Sequence, residues 1–221
     1  MREEELIEHL KNYITPERFA LFEEKVQERT KHITIILENI FQARNISASL
    51  RSADCFGIQD VHIIENTNSF KDDNEVSIGS SKWLNINRNN KKENNRKEAI
   101  LDMKKLGYTI IATTPHEADT SLFEINLDKK VAMIFGTEME GCSREALNLS
   151  DHRMKIPMYG FTESFNISVS VALCLQHLTY QLRKSNIEFK LSEKEKNKTI
   201  LKWLKNTIKS SDKIEERFFK K

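Results

Sequence analysis

Four short runs of β-branched and apolar residues, separated by polar stretches that open helices, set the tightest limit on how this chain can fold. Ile33-Thr34-Ile35-Ile36-Leu37 is the first, and its composition is that of a buried strand. Val61–Ile64, Thr109–Thr113 and Val131–Phe135 repeat the pattern, and Arg153–Pro157 adds another, less apolar one. Asn45 caps a helix that closes near Gly57, Glu98 to Leu106 is a helix stopped by Gly107, and Ser164 caps a long helix running through Val169, Leu173, Leu175 and Leu178 to about Lys184. Strands alternating with helices give an α/β fold, a mostly parallel sheet covered by helices on both faces.

Helices flank this core. Leu6, Ile7, Leu10 and Ile14 form one stripe, Thr15-Pro16-Glu17 restarts a helix, and Phe19, Leu21, Phe22 and Val26 continue it. At the other end Ile200, Leu201, Trp203, Leu204 and Ile208 mark a basic helix over about Glu193–Lys209. Asn85–Arg96, dense in Asn and Lys, reads as a loop. The expected division is therefore 1–31, a helical extension; 32–186, the α/β domain; and 187–221, a basic helical extension.

Charge and cysteine usage narrow the function classes. No run approaches the roughly 18 apolar residues of a membrane span. The acidic, amphipathic MREEELIEHL is unlike a secretory signal. Cys55, Cys142 and Cys174 are odd in number and lack a C-x-x-C pair, so they read as reduced thiols of a cytoplasmic protein, with no metal site. Without an export signal the Asn-x-Ser matches at Asn45 and Asn166 carry no weight. From Tyr180 to Lys221 there are 13 Lys and Arg against 6 Asp and Glu, a surplus that suits a polyanion and equally suits a solvated helix face.

The six glycines never fall as G-x-G-x-x-G, and no phosphate loop or H-E-x-x-H occurs, which argues against a Rossmann dinucleotide site or a metalloprotease. Three polar segments stand out instead. Asn45, Ala48, Arg51 and Ala53 fit N-x-x-A-x-x-R-x-A. Gly136, Glu138 and Gly141 fit G-x-E-x-x-G. Ile156-Pro157-Met158 and Gly160, then Ser164, Asn166, Ser168 and Ala172, fit I-P-M-x-G followed by S-x-N-x-S.

Taken singly these are ordinary: Asn45 and Ser164 are good caps, Arg51 reads as a surface arginine, and Glu138 and Glu140 suit a helix start. His62 reads as a core histidine, and Cys142 as a buried filler with no base beside it. In this order and spacing, however, they resemble the SpoU branch of the SPOUT RNA methyltransferases, over about Ile33 to Lys184.

The resemblance implies a C-terminal trefoil knot, S-adenosylmethionine as methyl donor, a homodimer, and 2′-O-methylation of a ribose in RNA. The short leader before the first strand and Gly79-Ser80-Ser81-Lys82-Trp83 favour the group that modifies guanosine 18 in the tRNA D-loop. A sibling acting on ribosomal RNA or on a wobble ribose, and a catalytically silent RNA-binding protein, are the alternatives. The implied cofactor contacts are Thr113, Thr114, Gly136, Thr137, Glu138, Ile156, Met158 and Phe165. The implied catalytic group is Arg51, Asn45, Ser164, Asn166 and Glu138, with the two asparagines orienting Arg51 or the ribose, and Arg51 acting either as base or as electrostatic stabiliser. RNA would meet Arg44, Arg183, Lys184, Lys202 and Lys205. The family usually has Leu at Phe165 and often His at Arg44.

Overall fold

The computed structural model describes residues 2–69, 74–91 and 94–220. They form two compact units, one of residues 31–189 and one in which the two ends of the chain, 1–30 and 190–221, come together.

The larger unit holds seven parallel strands: β1 (Ile33–Glu38), β2 (Asp60–Ile64), β3 (Asn85–Asn89), β4 (Tyr108–Thr113), β5 (Thr120–Ser121), β6 (Lys130–Phe135) and β7 (His152–Lys155), in the order β3-β2-β1-β6-β4-β7-β5. Every residue of β1 is buried, as a central parallel strand requires. Because side chains alternate, Ile33, Ile35 and Leu37 enter one core and Ile36 the other. The first core lies under α3 (Ala43–Cys55) and α7 (Ile167–Lys184), with Ile46, Leu50, Val171 and Leu175 packed together. The second lies under α5 (Asn95–Lys105) and α6 (Arg144–Leu149) and includes Ala99, Ile100, Met103, Cys142 and Ala146. A short α4 (Asn74–Ser77) follows β2.

Several sequence expectations shift. Asn85–Arg96 is not all loop, since β3 occupies Asn85–Asn89 and pairs in register with β2, Val61 opposite Ile86. Its side chains are anchored by polar contacts, Asn85 to Asp60 at 2.7 Å and Arg88 to Glu65 at 2.7 and 2.8 Å, so it lacks the apolar signature of an inner strand. Lys92 and Glu93, within the expected loop, lie outside the described residues. Asn45 is not the cap of α3, which starts two residues earlier at Ala43. Nor does Ser164 cap α7: Asn166 does, accepting from the Ser168 amide at 2.9 Å.

In the terminal unit α1 (Arg2–Leu10) and α2 (Pro16–Val26) meet α8 (Glu193–Thr207) and a further helix, α9 (Ser211–Phe219), that the sequence reading missed. Thr15 caps α2 ahead of Pro16 as expected, accepting from Arg18. Leu6, Leu10, Phe22, Val26, Trp203 and Leu204 are buried, Phe22 meets the Trp203 ring edge-on at 5.6 Å, and Leu21 is exposed instead. Trp203 also stacks under Arg29, 5.2 Å from its ring centre.

Candidate active site

The three polar segments converge at the carboxyl ends of β4, β6 and β7, where open parallel sheets place ligands. There a cleft of about 530 Å³ is walled by the loops that follow these strands. All eight residues expected to hold a cofactor line it: Thr113, Thr114, Gly136, Thr137, Glu138, Ile156, Met158 and Phe165. Ser164, freed from capping, lines it too. Sequence reasoning missed Pro115, His116 and Glu117 after β4, and Ser143, Arg144 and Leu147 after the second motif. Glu117 and Arg144 form a two-pronged ion pair at the rim, at 2.8 and 3.2 Å, which holds the Glu117 carboxyl below its usual range. Their signal was adjacency, because Arg144 follows the Gly141–Ser143 segment directly.

The wall after β6 is shaped by glycine. Thr137 and Gly141 exchange both backbone hydrogen bonds at 3.0 Å, closing a tight turn, and Gly141 takes φ 69°. A β-carbon at Gly136 would fall 2.0 Å from the Gly141 carbonyl. The close approach that Gly136 permits is thus to its own returning backbone, which no side chain at 136 would allow. Glu138 and Glu140 sit in this turn and not at a helix start, so a macrodipole role does not apply.

All three motifs contribute to a shared hydrogen-bond chain. Asn45, 8% exposed in the first turn of α3, donates its amide N–H to Glu138 Oε1 at 2.5 Å. Its amide oxygen accepts from Asn166 Nδ2 at 3.3 Å, and Asn166 Oδ1 in turn accepts from the Ser168 hydroxyl at 2.7 Å. The Asn45 amide therefore serves Glu138 and Asn166, and no hydrogen bond joins it to Arg51. Arg51 is exposed, two turns further along α3, and is not part of the cleft lining.

The remaining sequence candidates separate cleanly. Cys142 is buried, its thiol pushed up to about 12 by desolvation and then by the nearby Glu38 carboxylate, so it is an inert filler. His62 is half-buried in β2, with its pKa lowered by desolvation against the opposing pull of Asp60. No cluster of His, Cys, Asp and Glu among the described residues could hold a metal, and no described helix is long and apolar enough to cross a membrane. Of the RNA candidates, Arg44, Arg183 and Lys184 are exposed, with Arg183 over the Phe189 ring and Lys184 over Tyr180. Lys202 is half-buried, and Lys205 is paired with Glu215 at 2.6 Å.

Comparison with known proteins matches this arrangement. Residues 32–176 match the SpoU rRNA Methylase family. The chain is 41% identical over 206 residues to a tRNA (guanosine(18)-2′-O)-methyltransferase of Borreliella burgdorferi, covering 93% of each. A Thermus thermophilus protein of the same name is 34% identical, covering 78% of this chain and 87% of that one. Among solved structures, the A. aeolicus TrmH/SpoU tRNA modifying enzyme superposes with a TM-score of 0.78 at 26% identity, over 87% of this chain and 98% of that one. A SpoU methyltransferase, AviRb from Streptomyces viridochromogenes, solved with its cofactor AdoMet, shares the fold at TM-score 0.60 and 19% identity, over 74% and 62%. With the family match spanning the sheet, the cleft and all three motifs, the chain belongs to the SpoU methylase family.

Proposed function

We propose that this chain methylates a ribose 2′-hydroxyl in tRNA, at guanosine 18 of the D-loop, with S-adenosylmethionine as donor. The observation that carries the reading is the Glu138–Asn45–Asn166 chain, which links all three motifs beside the cleft. Relatives at 41% and 34% identity bear the name of that activity.

The cleft fits the donor. Its volume of about 530 Å³ is in the range of small-molecule sites, roughly 300–1,000 Å³. Ile156, Met158 and Phe165 offer apolar walls to an adenine, while Thr113, Thr114, Gly136 and Thr137 offer backbone and hydroxyl groups to a ribose. S-adenosylmethionine, when bound, supplies a methyl group already activated on a sulfonium. What remains for the protein is to orient the RNA hydroxyl in line and to ease the loss of its proton. Ser164, Glu138 and Asn166 shape the turn that receives the ribose. Arg51 acts by stabilising the developing alkoxide and neutralising the adjacent phosphate.

Because Arg51 is exposed and does not line its own cleft, this role requires a second copy, and the reading includes a homodimer in which each Arg51 serves the partner's cleft. Tyr159 and Phe161, 95% or more exposed beside the cleft, and Val169, Leu173 and Tyr180 on the outer side of α7 provide apolar surface for it. The same reading places a trefoil knot at 156–166, supported by the way this segment leaves β7, lines the cleft beside the loops after β4 and β6, and enters α7. It assigns methyl transfer to residues 32–186, and tRNA docking to Arg44, Arg183 and Lys184 of that same stretch together with Lys202 and Lys205 of the basic extension 187–221, in a cytoplasmic enzyme.

The test is methyl transfer from labelled S-adenosylmethionine to an unmodified tRNA transcript, with the product mapped by nucleotide. Label at guanosine 18 is expected, and its loss when guanosine 18 carries a 2′-deoxyribose. Transfer to ribosomal RNA alone, or to a wobble nucleotide, would sink the substrate assignment.

A further inference from the structure

We infer that Glu38 is a positioning residue, whose carboxylate fixes the turn after β6 in the form that binds the methyl donor. The inference rests on the cleft being the S-adenosylmethionine site, and it concerns a residue outside all three motifs.

Glu38 ends β1 and is 2% exposed. By strand alternation it shares the face of Thr34 and Ile36, and so points toward α5 and α6. A carboxylate held away from water costs several kcal/mol unless it is paired and hydrogen-bonded. Both of its oxygens are served. Oε1 pairs with Arg96 Nε from the first turn of α5, and Oε2 accepts the Ser143 backbone N–H at 3.1 Å. Arg96 then reaches Glu145 Oε2 in α6 at 3.0 Å, and Asn94 donates to Glu145 Oε1 at 2.8 Å. Burial alone would lower the Arg96 pKa, but Glu38 and Glu145 outweigh it and raise the pKa further.

A residue that only plugged the core would be apolar here, like four of the five before it. What Glu38 adds is a grip on a backbone N–H of the cleft wall. Ser143 lines the cleft, and its hydroxyl caps α6 by accepting from Ala146 at 3.1 Å. The turn is therefore fixed at both ends, by the Gly136 contact with Gly141 and by Ser143 on Glu38. Between these two points Glu138 is presented to Asn45. Loss of the Glu38 charge frees one end, and the wall that faces the donor moves while the sheet stays whole.

The test uses full-length protein. Calorimetry with S-adenosylhomocysteine compares wild type with Glu38→Gln, Glu145→Gln and Lys104→Gln, the last removing an ion pair to Asp151 on the same face but outside the network. Folded Glu38→Gln should bind about tenfold more weakly, the scale of one lost hydrogen bond to a charged group. Its KM for S-adenosylmethionine should rise by the same factor with kcat little changed, and the Ser143 amide should exchange faster in the free protein. Glu145→Gln should show a smaller loss in the same direction, and Lys104→Gln none. If wild type binds and folded Glu38→Gln binds equally well with its Ser143 amide still protected, the inference is wrong. If Glu38→Gln does not fold, Glu145→Gln decides, and unchanged binding there overturns the inference. A wild type that fails to bind at all sinks the reading of the cleft, and this inference with it.

Discussion

Two ends of one helix behave differently. At the start of α3, Asn45 is buried and both ends of its amide are engaged within the chain, by Glu138 and Asn166. Six residues on, Arg51 is exposed and its side chain has no hydrogen bond or ion pair to a described residue. Both belong to one sequence motif, yet the first completes the fold around the cleft and the second faces solvent. A motif is thus not a single site. Its residues share a helix because the helix supplies a rigid spacing between an internal anchor and an external group.

Substitutions can break this contrast, and Arg51→Ala should have the largest effect. Turnover should fall about 10²–10³-fold, the range for losing one preorganised stabilising group. S-adenosylhomocysteine affinity and melting temperature should stay near wild type. Near-normal turnover in a methyl-transfer assay would show that the exposed end of α3 is not catalytic. Asn45→Ala should do the reverse at smaller scale, losing about 1–3 kcal/mol in denaturant unfolding because Glu138 and Asn166 lose a partner. Unchanged stability there would mean that the chain of three motifs is incidental.

The smallest effect concerns His62, intermediate in exposure between these two ends. Its folded pKa is depressed by desolvation, so below its ordinary value of about 6.5 the unfolded chain takes up the proton first. The stability it contributes is present above that pH and is lost as pH falls toward the lower folded value. Melting curves should show His62→Asn losing less stability than wild type between neutral and mildly acidic pH. Parallel curves would count against it.

Much of this was legible before the structure. β1, β2, β4 and β6 are apolar runs buried on both faces, and such runs have few alternatives. The eight residues expected at the cofactor came from the family resemblance that the motif order carried, and all of them line the cleft. What escaped notice did so for physical reasons. β3 is an edge strand held by Asn and Arg contacts, and β5 is two residues long, so neither carries a hydrophobic period. Asn45 and Ser164 have the chemistry of caps, but tertiary partners claimed Asn45 and the cleft claimed Ser164. Glu38 bonds to residues 58 and 105 positions away, a pairing no local pattern encodes. The hint was a lone carboxylate closing an apolar strand, beside the first motif.

The central position of β1 also has a consequence for biosynthesis. One edge of β1 is closed by β2, with Ile35 opposite Val61, soon after both emerge. Its other edge pairs with β6, where Ile33 lies opposite Val131, 98 residues later (131 − 33). At synthesis rates of about 5–20 residues per second, that edge waits roughly 5–20 seconds on the ribosome for its neighbour. Throughout that interval Ile33–Glu38 offers a free row of backbone donors and acceptors on a strongly apolar strand, the kind of template on which nascent chains stick to one another. Slow, late closure of the sheet, and dependence on whatever shields that strand meanwhile, are built into the strand order itself.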